Sequence, residues 1–176
     1  NLEKLRDFMW PRLYEYSDRG FILISPDMIN IASMWNENIG EQNLIYQQRP
    51  EYRERLFQGQ VTFVPTVKSE VPLRDSRGRL AQEVPSIFVG SPVRDENGEI
   101  IAVLVLRMDA YNRFIRITQL GRMGQSGETY AFDKQARLST VSRFDQQLRK
   151  IGLLQPGSQG VLQIRIVDPG GNLLEG

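Results

Sequence analysis

The stretch Ser86 to Met108 constrains the fold more than any other part of the chain. Two long extended segments, Ser86 to Arg94 and Glu99 to Met108, are joined by Asp95-Glu96-Asn97-Gly98, which has the composition of a tight turn. The second segment carries Ile100-Ile101-Ala102-Val103-Leu104-Val105-Leu106, apolar at every position. Successive side chains on a strand point to opposite faces, so an uninterrupted apolar strand must be covered on both. The sequence therefore predicts a sheet with this strand at its centre and another layer packed on each side.

Shorter signals place the remaining elements. Leu2, Leu5, Met9, Leu13 and Tyr16 recur at helical spacing, with Pro11 expected to kink or restart the helix. Residues 20–34 read as a hairpin turning at Ser25-Pro26-Asp27. Pro50 to Phe57 reads as a short helix with proline in its first turn. Gln60 to Lys68 reads as a strand that Pro65 assigns to an edge or a bulge. Residues 69–85, which include Asp75-Ser76-Arg77-Gly78, read as a solvated loop. Asp109 to Leu120 has helical spacing and ends at Gly121. Beyond it, strands are expected at Thr129 to Phe132, Arg137 to Ser142 and Val161 to Val167, with a helix from Phe144 to Leu154. The fold class is thus α/β in the α+β sense, with a central antiparallel sheet and an N-terminal helix. The hairpins 21–33 and 129–142 share the order strand, polar turn, strand, a weak internal repeat.

Composition removes whole classes of chemistry. The 176 residues include no cysteine and no histidine. Disulfides, thiolate nucleophiles, zinc fingers, Ser-His-Asp triads and histidine-ligated metals are therefore impossible. Charge is balanced: residues 1–88 carry eleven basic and twelve acidic side chains, residues 89–176 eleven and nine. Neither half advertises a nucleic-acid partner. The stretch 113–150 is locally basic, eight Lys or Arg against Glu128, Asp133 and Asp145, which reads as a solvated face or an anionic-surface contact. No window is long and apolar enough to span a bilayer, and the chain starts at Asn1, so a piece of a longer protein is expected.

A resemblance sharpens this reading. Pro85-Ser86-Ile87-Phe88-Val89-Gly90-Ser91-Pro92-Val93-Arg94-Asp95-Glu96-Asn97-Gly98-Glu99-Ile100-Ile101-Ala102-Val103-Leu104-Val105-Leu106 resembles the closing hairpin of a Cache domain, a PAS-like sensor module. Gly124-Gln125-Ser126-Gly127-Glu128-Thr129-Tyr130-Ala131-Phe132-Asp133, with Ser142-Arg143-Phe144, Gly152-Leu153-Leu154 and Asp168-Pro169-Gly170-Gly171-Asn172-Leu173, resembles the start of the second module in double-Cache sensors of bacterial membrane-bound kinases and cyclases. The resemblance implies a helix plus membrane-distal module over 1–110, a linking helix and turn over 111–127, and a truncated second module over 128–176. It further implies an extracytoplasmic, periplasmic small-molecule sensor of a membrane-anchored receptor, with no catalysis and no cofactor, and a possible homodimer through the N-terminal helix.

Candidate ligand-binding residues are Trp35, Arg49, Tyr52 and Arg53, between the first hairpin and the strand 60–68, where such a module has its lid, together with Phe63 and Thr66 on that strand. Aromatic walls with an arginine fork suit a carboxylate-bearing metabolite. Ser86 and Ser91 are further lining candidates, and Tyr46 belongs to the same segment. Arg49-Pro50-Glu51-Tyr52 matches the pattern of amino-acid-binding relatives only at its arginine and tyrosine. Each candidate has an alternative role as ordinary core filling or a solvated surface group, which leaves a structural or protein-interaction module as the competing reading. Gly124 to Glu128 reads as a turn and not a phosphate loop, because it precedes a strand and lacks Gly-Lys-Ser/Thr. Asp133 and Asp168 read as turn residues bonded to their own backbone, and Arg143 as a structural partner for Asp133 or Glu128.

Overall fold

A computed structural model describes residues 1–16, 19–69, 72–74, 80–81, 84–110, 116–121 and 123–167. The chain forms two compact units, Asn1–Arg113 and Phe114–Gly176. The first runs α1 (Leu2–Tyr16), β1 (Phe21–Ile24), β2 (Asn30–Ser33), a short 3-10 turn (Asn36–Asn38), α2 (Leu44–Gln48), α3 (Tyr52–Phe57), β3 (Thr62–Lys68), β4 (Leu73–Arg74), β5 (Leu80–Ala81), β6 (Pro85–Arg94) and β7 (Ile100–Asp109). Five strands make one antiparallel sheet in the order β2-β1-β7-β6-β3, with the first hairpin beside the last and the helices α2 and α3 crossing between them. This is a PAS-like α+β module.

β7 lies at the centre, as its sequence requires. It pairs with β6 from Ser86↔Asp109 to Arg94↔Ile100 and with β1 from Phe21↔Leu106 to Ile24↔Val103. The intervening turn closes on Asp95, whose Oδ1 accepts from Asn97 N and Glu99 N at 2.9 Å each. Gly98 there has φ 86°, a left-handed conformation that suits glycine.

Alternation divides the interior into two cores. On one face Phe21, Leu23, Ala32, Met34, Leu104 and Leu106 pack with Leu2, Leu5, Met9 and Leu13 of α1. On the other, Ile22, Ile24, Val64, Val67, Phe88, Val103 and Val105 pack with Met28, Leu44, Ile45 and Leu56, and with Tyr46, Tyr52 and Phe57. The helix α1 continues from Leu2 to Tyr16 through Pro11, so it does not restart there. An interior proline costs about 3 kcal/mol through its lost hydrogen bond and clash. Burying Met9 and Leu13 on either side of it contributes about 1.5–3 kcal/mol each, which offsets that cost and keeps both halves packed on the sheet.

The edge assignment of Pro65 is met. Among the described residues β3 pairs only with β6, and the register slips between Val64 and Val67, so the residue without an N–H sits at an irregularity on the sheet's border. The end of that strand is occupied by side chains from α2. Gln48 Nε2 donates to Lys68 O at 2.8 Å and its Oε1 accepts from Lys68 N at 2.9 Å. At the opposite edge Arg6 Nε donates to Ser33 O at 2.9 Å. Exposed edges invite pairing with other chains, and these contacts occupy groups that would otherwise offer it.

Two features went unread in the sequence. Residues 69–85 contain a small hairpin, with Leu73 opposite Ala81 and Leu73 buried, in place of a wholly solvated loop; Asp75 to Gly78 lies outside the described residues. The helix α2 begins at Asn43, whose Oδ1 accepts from Ile45 N at 2.8 Å and whose Nδ2 donates to Asn30 Oδ1 at 2.7 Å. Asn30 Nδ2 in turn donates to Asn38 O at 2.8 Å. These buried asparagines organise the crossing from β2 into α2.

In the second unit the described residues form α4 (Arg116–Gln119) and α5 (Asp145–Lys150). The three expected strands reduce to isolated bridges, Phe132↔Leu138 and Arg137↔Arg165. The alternation from Val161 to Val167 is overridden at its start by a turn, in which Gln163 N and Ile164 N both donate to Gly160 O and Leu162 takes φ 59°. The helix expected to reach Leu154 stops at Lys150, because Gly152 adopts φ 79° while Leu153 N and Leu154 N fold back onto Leu148 O. That is a left-handed helix stop. For Asp109 to Leu120, residues 111–115 lie outside the described set, and the chain turns at Gly121.

The docking of α1 is testable. Leu13→Ala should cost about 2–5 kcal/mol in urea unfolding, the usual toll of a large-to-small change in a packed core. A loss below about 0.5 kcal/mol, the range of surface substitutions, would show that α1 is not part of the core.

Candidate functional site

The candidate residues divide into a buried group and an exposed one. Arg49 ends α2, with its side chain only 3% exposed, and Nη2 donates to Thr66 O on β3 at 3.1 Å. Its backbone carbonyl accepts from Tyr52 N at 3.0 Å, which ties the start of α3 to the same spot. Thr66 is buried, and Tyr52 packs against the core under α2 and α3. The structure thus brings Arg49, Tyr52 and Thr66 together at the junction of α2, α3 and the edge strand.

The other three do not join them. Arg53 is on the outer side of α3 and donates from Nη2 to Pro26 O at 3.2 Å. Phe63 is 47% exposed on β3, and Trp35 is 40% exposed just after β2. Tyr46 packs in the same core as Tyr52. Of the two serines, Ser86 is fully buried and Ser91 is exposed.

Polar side chains beyond the candidates lie inside this unit as well. Arg107 is fully buried on β7, on the same face as Val103 and Val105, with its guanidinium 5.3 Å from the centroid of the Phe88 ring. Two residues on, Asp109 is buried opposite Ser86 and ion-pairs with buried Arg19. Arginine retains its charge at any physiological pH, so each buried guanidinium imposes a demand for acceptors and π-faces around it. Sequence reasoning missed Arg107, Asp109 and Arg19 because they border an apolar strand. The available signal was that Arg107 and Asp109 continue the alternation of Val103 and Val105, which assigns them inward.

The guanidinium of Arg49 thus meets the backbone of the edge strand, and that of Arg107 the ring of Phe88. Among the described residues no group of three acidic side chains is placed to hold a metal ion.

The second unit carries a separate polar cluster. Glu128 accepts from Ser142 Oγ at 2.7 Å and from Arg143 N at 2.5 Å, while Arg143 Nη1 donates to Gly127 O at 2.6 Å. Arg143 is structural, as expected, but through main-chain contacts in place of a guanidinium–carboxylate pair. Asp133 closes its own turn, accepting from Gln135 N and Arg137 N at 2.9 Å each, and pairs with Arg137 Nε at 2.8 Å. Asp168 lies outside the described residues. Asp145, in the first turn of α5, accepts from Gly160 N at 3.2 Å and stands 4.0 Å from Arg149 Nη2. Burial raises its pKa above the ordinary aspartate value, and Glu128 adds to this; the Gly160 bond and Arg149 oppose the rise without cancelling it.

No family model matches the chain, and no curated protein matches it. Solved structures to which the chain is similar include VqmA bound to DPO, at 12% identity and TM-score 0.38, where the match covers 66% of this chain and 62% of that one. An extracellular ligand-binding receptor from Desulfohalobium retbaense is similar at 15% identity and TM-score 0.35 over 55% of this chain and 16% of that one. A light-oxygen-voltage domain with a flavin analogue is similar at 14% identity and TM-score 0.43 over 66% and 95%. The chain thus spans less than two thirds of the VqmA and receptor chains. Scores and identities this low assign no activity or ligand, and the chain's own residues carry the functional reading.

Asp145 gives a pH dependence with a definite sign. A carboxyl whose folded pKa is raised contributes stability that is fully present below its unfolded value and is lost as pH rises through the folded value. Relative to Asp145→Asn, the wild type should therefore lose stability as pH rises from about 4, the ordinary aspartate value, in paired thermal melts of the two proteins. A difference that stays constant across that range would refute the assignment.

Proposed function

We propose that the chain is the small-molecule-sensing region of a bacterial receptor of double-Cache type, held on the extracytoplasmic side of the membrane, with no catalysis and no cofactor of its own. The observation that carries the reading is buried Arg49, set between two helices and the edge strand beside Thr66 and Tyr52. A guanidinium at the seam between a sheet and its covering helices can grip a carboxylate from a position where closure of those helices over a ligand is felt by the sheet. Binding that favours one arrangement of α2 and α3 then shifts the population between two states, and the shift is the signal. No described helix is long and apolar enough to cross a membrane.

A second reading, an interaction module without a small ligand, is supported by Phe8 and Trp10, 56% and 65% exposed on the two flanks of α1 to either side of buried Met9. A second copy of the chain, pairing through α1, is the partner we infer for it.

The two readings separate in a thermal-shift screen of the 176-residue chain against amino acids, organic acids, amines, purines and sugars. A carboxylate present at a hundred times its Kd adds about 2.7 kcal/mol and should raise Tm by about 5 °C or more. Arg49→Lys, which keeps the charge and loses the fork, should abolish the shift while leaving the unliganded protein folded. Flat curves across the panel would favour the interaction module.

A further inference from the structure

In the second unit, the hairpin over residues 129–142 has an open edge. Ala131 and Asp133 turn their main-chain groups toward the returning segment: Ser139 N donates to Ala131 O at 2.8 Å, Ala131 N to Thr140 Oγ1 at 3.1 Å, and Asp133 N to Arg137 O at 2.9 Å. Main-chain groups alternate in direction along an extended chain. Those of Phe132, which stands opposite Leu138 between these bonds, therefore point away from the hairpin, and those of Tyr130 do the same. Among the described residues no hydrogen bond reaches either main chain. The far side of the returning segment is taken, since Leu138 N donates to Ile164 O at 2.9 Å and Ile166 N to Ala136 O at 2.8 Å. In the first unit the hairpin of the same order has this edge closed, with β1 held between β2 and β7. Here the edge is flanked by the side chains of Phe132, 60% exposed, and Tyr130, 42% exposed. Unpaired donors and acceptors beside exposed aromatic rings are a template for another strand.

We propose that this edge pairs, antiparallel, with the same edge of a second copy of the chain. The edge is self-complementary in one register. Pairing centred on Ala131 sets Tyr130 of each copy opposite Phe132 of the other, so that every outward N–H of these two residues meets an outward C=O. Their aromatic rings become cross-strand neighbours on one face. The same register brings the exposed Lys134 of each copy to Glu128 of the other, so opposite charges meet at both ends. A slip of two residues sets Tyr130 against Tyr130 or Phe132 against Phe132 and undoes the match of Lys134 with Glu128. The twofold axis through Ala131 uses the same edge on both chains, so the contact closes at a dimer. This inference depends neither on the ligand-sensing reading nor on pairing through α1.

Because the chain has no cysteine, a single introduced thiol tests the register directly. In Ala131→Cys the twin thiols face each other across the axis at a pair without main-chain bonds, where Cα atoms stand about 4.5 Å apart, within the span of a disulfide. Under diamide this variant should cross-link at least about tenfold faster than Glu96→Cys, whose thiol lies in the exposed turn of the first unit and meets its twin by collision alone. Adding Phe132→Pro, which removes an outward N–H and none of the hairpin's own bonds, should return the rate to that of Glu96→Cys. Phe132→Lys serves the same end if thermal melts show that proline disturbs the hairpin. Sedimentation of the unaltered chain should show monomer passing to dimer as concentration approaches about a millimolar, and Phe132→Lys should move that transition at least about tenfold higher. Cross-linking of Ala131→Cys no faster than that of Glu96→Cys, or an unaltered chain that stays monomeric throughout, would overturn the proposal. So would a dimer that Phe132→Lys leaves intact, which would place the contact elsewhere, on α1 for instance.

Discussion

The first unit depends on one requirement: β7 must be covered on both faces. Its odd-numbered residues Val103 and Val105 belong to the core under α2 and α3, and its even-numbered residues Leu104 and Leu106 to the core under α1. Neither layer can be removed without exposing half of the central strand, so each helical layer is an obligatory part of the module. The same requirement explains why α1 tolerates Pro11. The stripe of Leu2, Leu5, Met9 and Leu13 is matched by the sheet, and the packing outweighs the missing hydrogen bond.

Within that frame, the polar interior is the costly part. Arg19, Arg49, Arg107 and Asp109 are all buried, and nothing about burying a sheet requires charged groups there. Stability alone would be served as well by apolar residues of similar volume. Charge in the interior is where a module of this shape can respond to something other than its own sequence. That is why the functional reading rests on buried side chains, and not on the exposed aromatic groups.

Much of the first unit was readable in advance, and for a common reason. The β6–β7 hairpin, the first hairpin, the helix before Phe57 and the edge position of Pro65 all follow from local rules: two-residue alternation, turn composition and the missing N–H of proline. Where the reading erred, a local pattern was overruled or a weak signal was passed over. The alternation of Val161 to Val167 yields to a turn around Leu162, and the helical spacing from Phe144 to Leu154 is cut at Gly152. Asn43 was the signal for α2, a side-chain cap followed by Leu44 and Ile45, hidden in a polar segment.

By itself, then, the sequence determined the antiparallel sheet, its central strand, the need for cover on both faces, and the absence of cysteine and histidine chemistry, because these depend on residues close together in the chain or on composition. Tertiary structure alone decided which arginines are inside. Arg49 and Arg53 are four residues apart and look alike in sequence, yet one reaches buried Thr66 and the other a turn carbonyl at Pro26. The ion pair of Arg19 with Asp109 joins residues ninety positions apart, a contact that exists only once β1 has been laid beside β7. Burial of a charge is a property of what surrounds it, and those surroundings are assembled by pairing between distant strands.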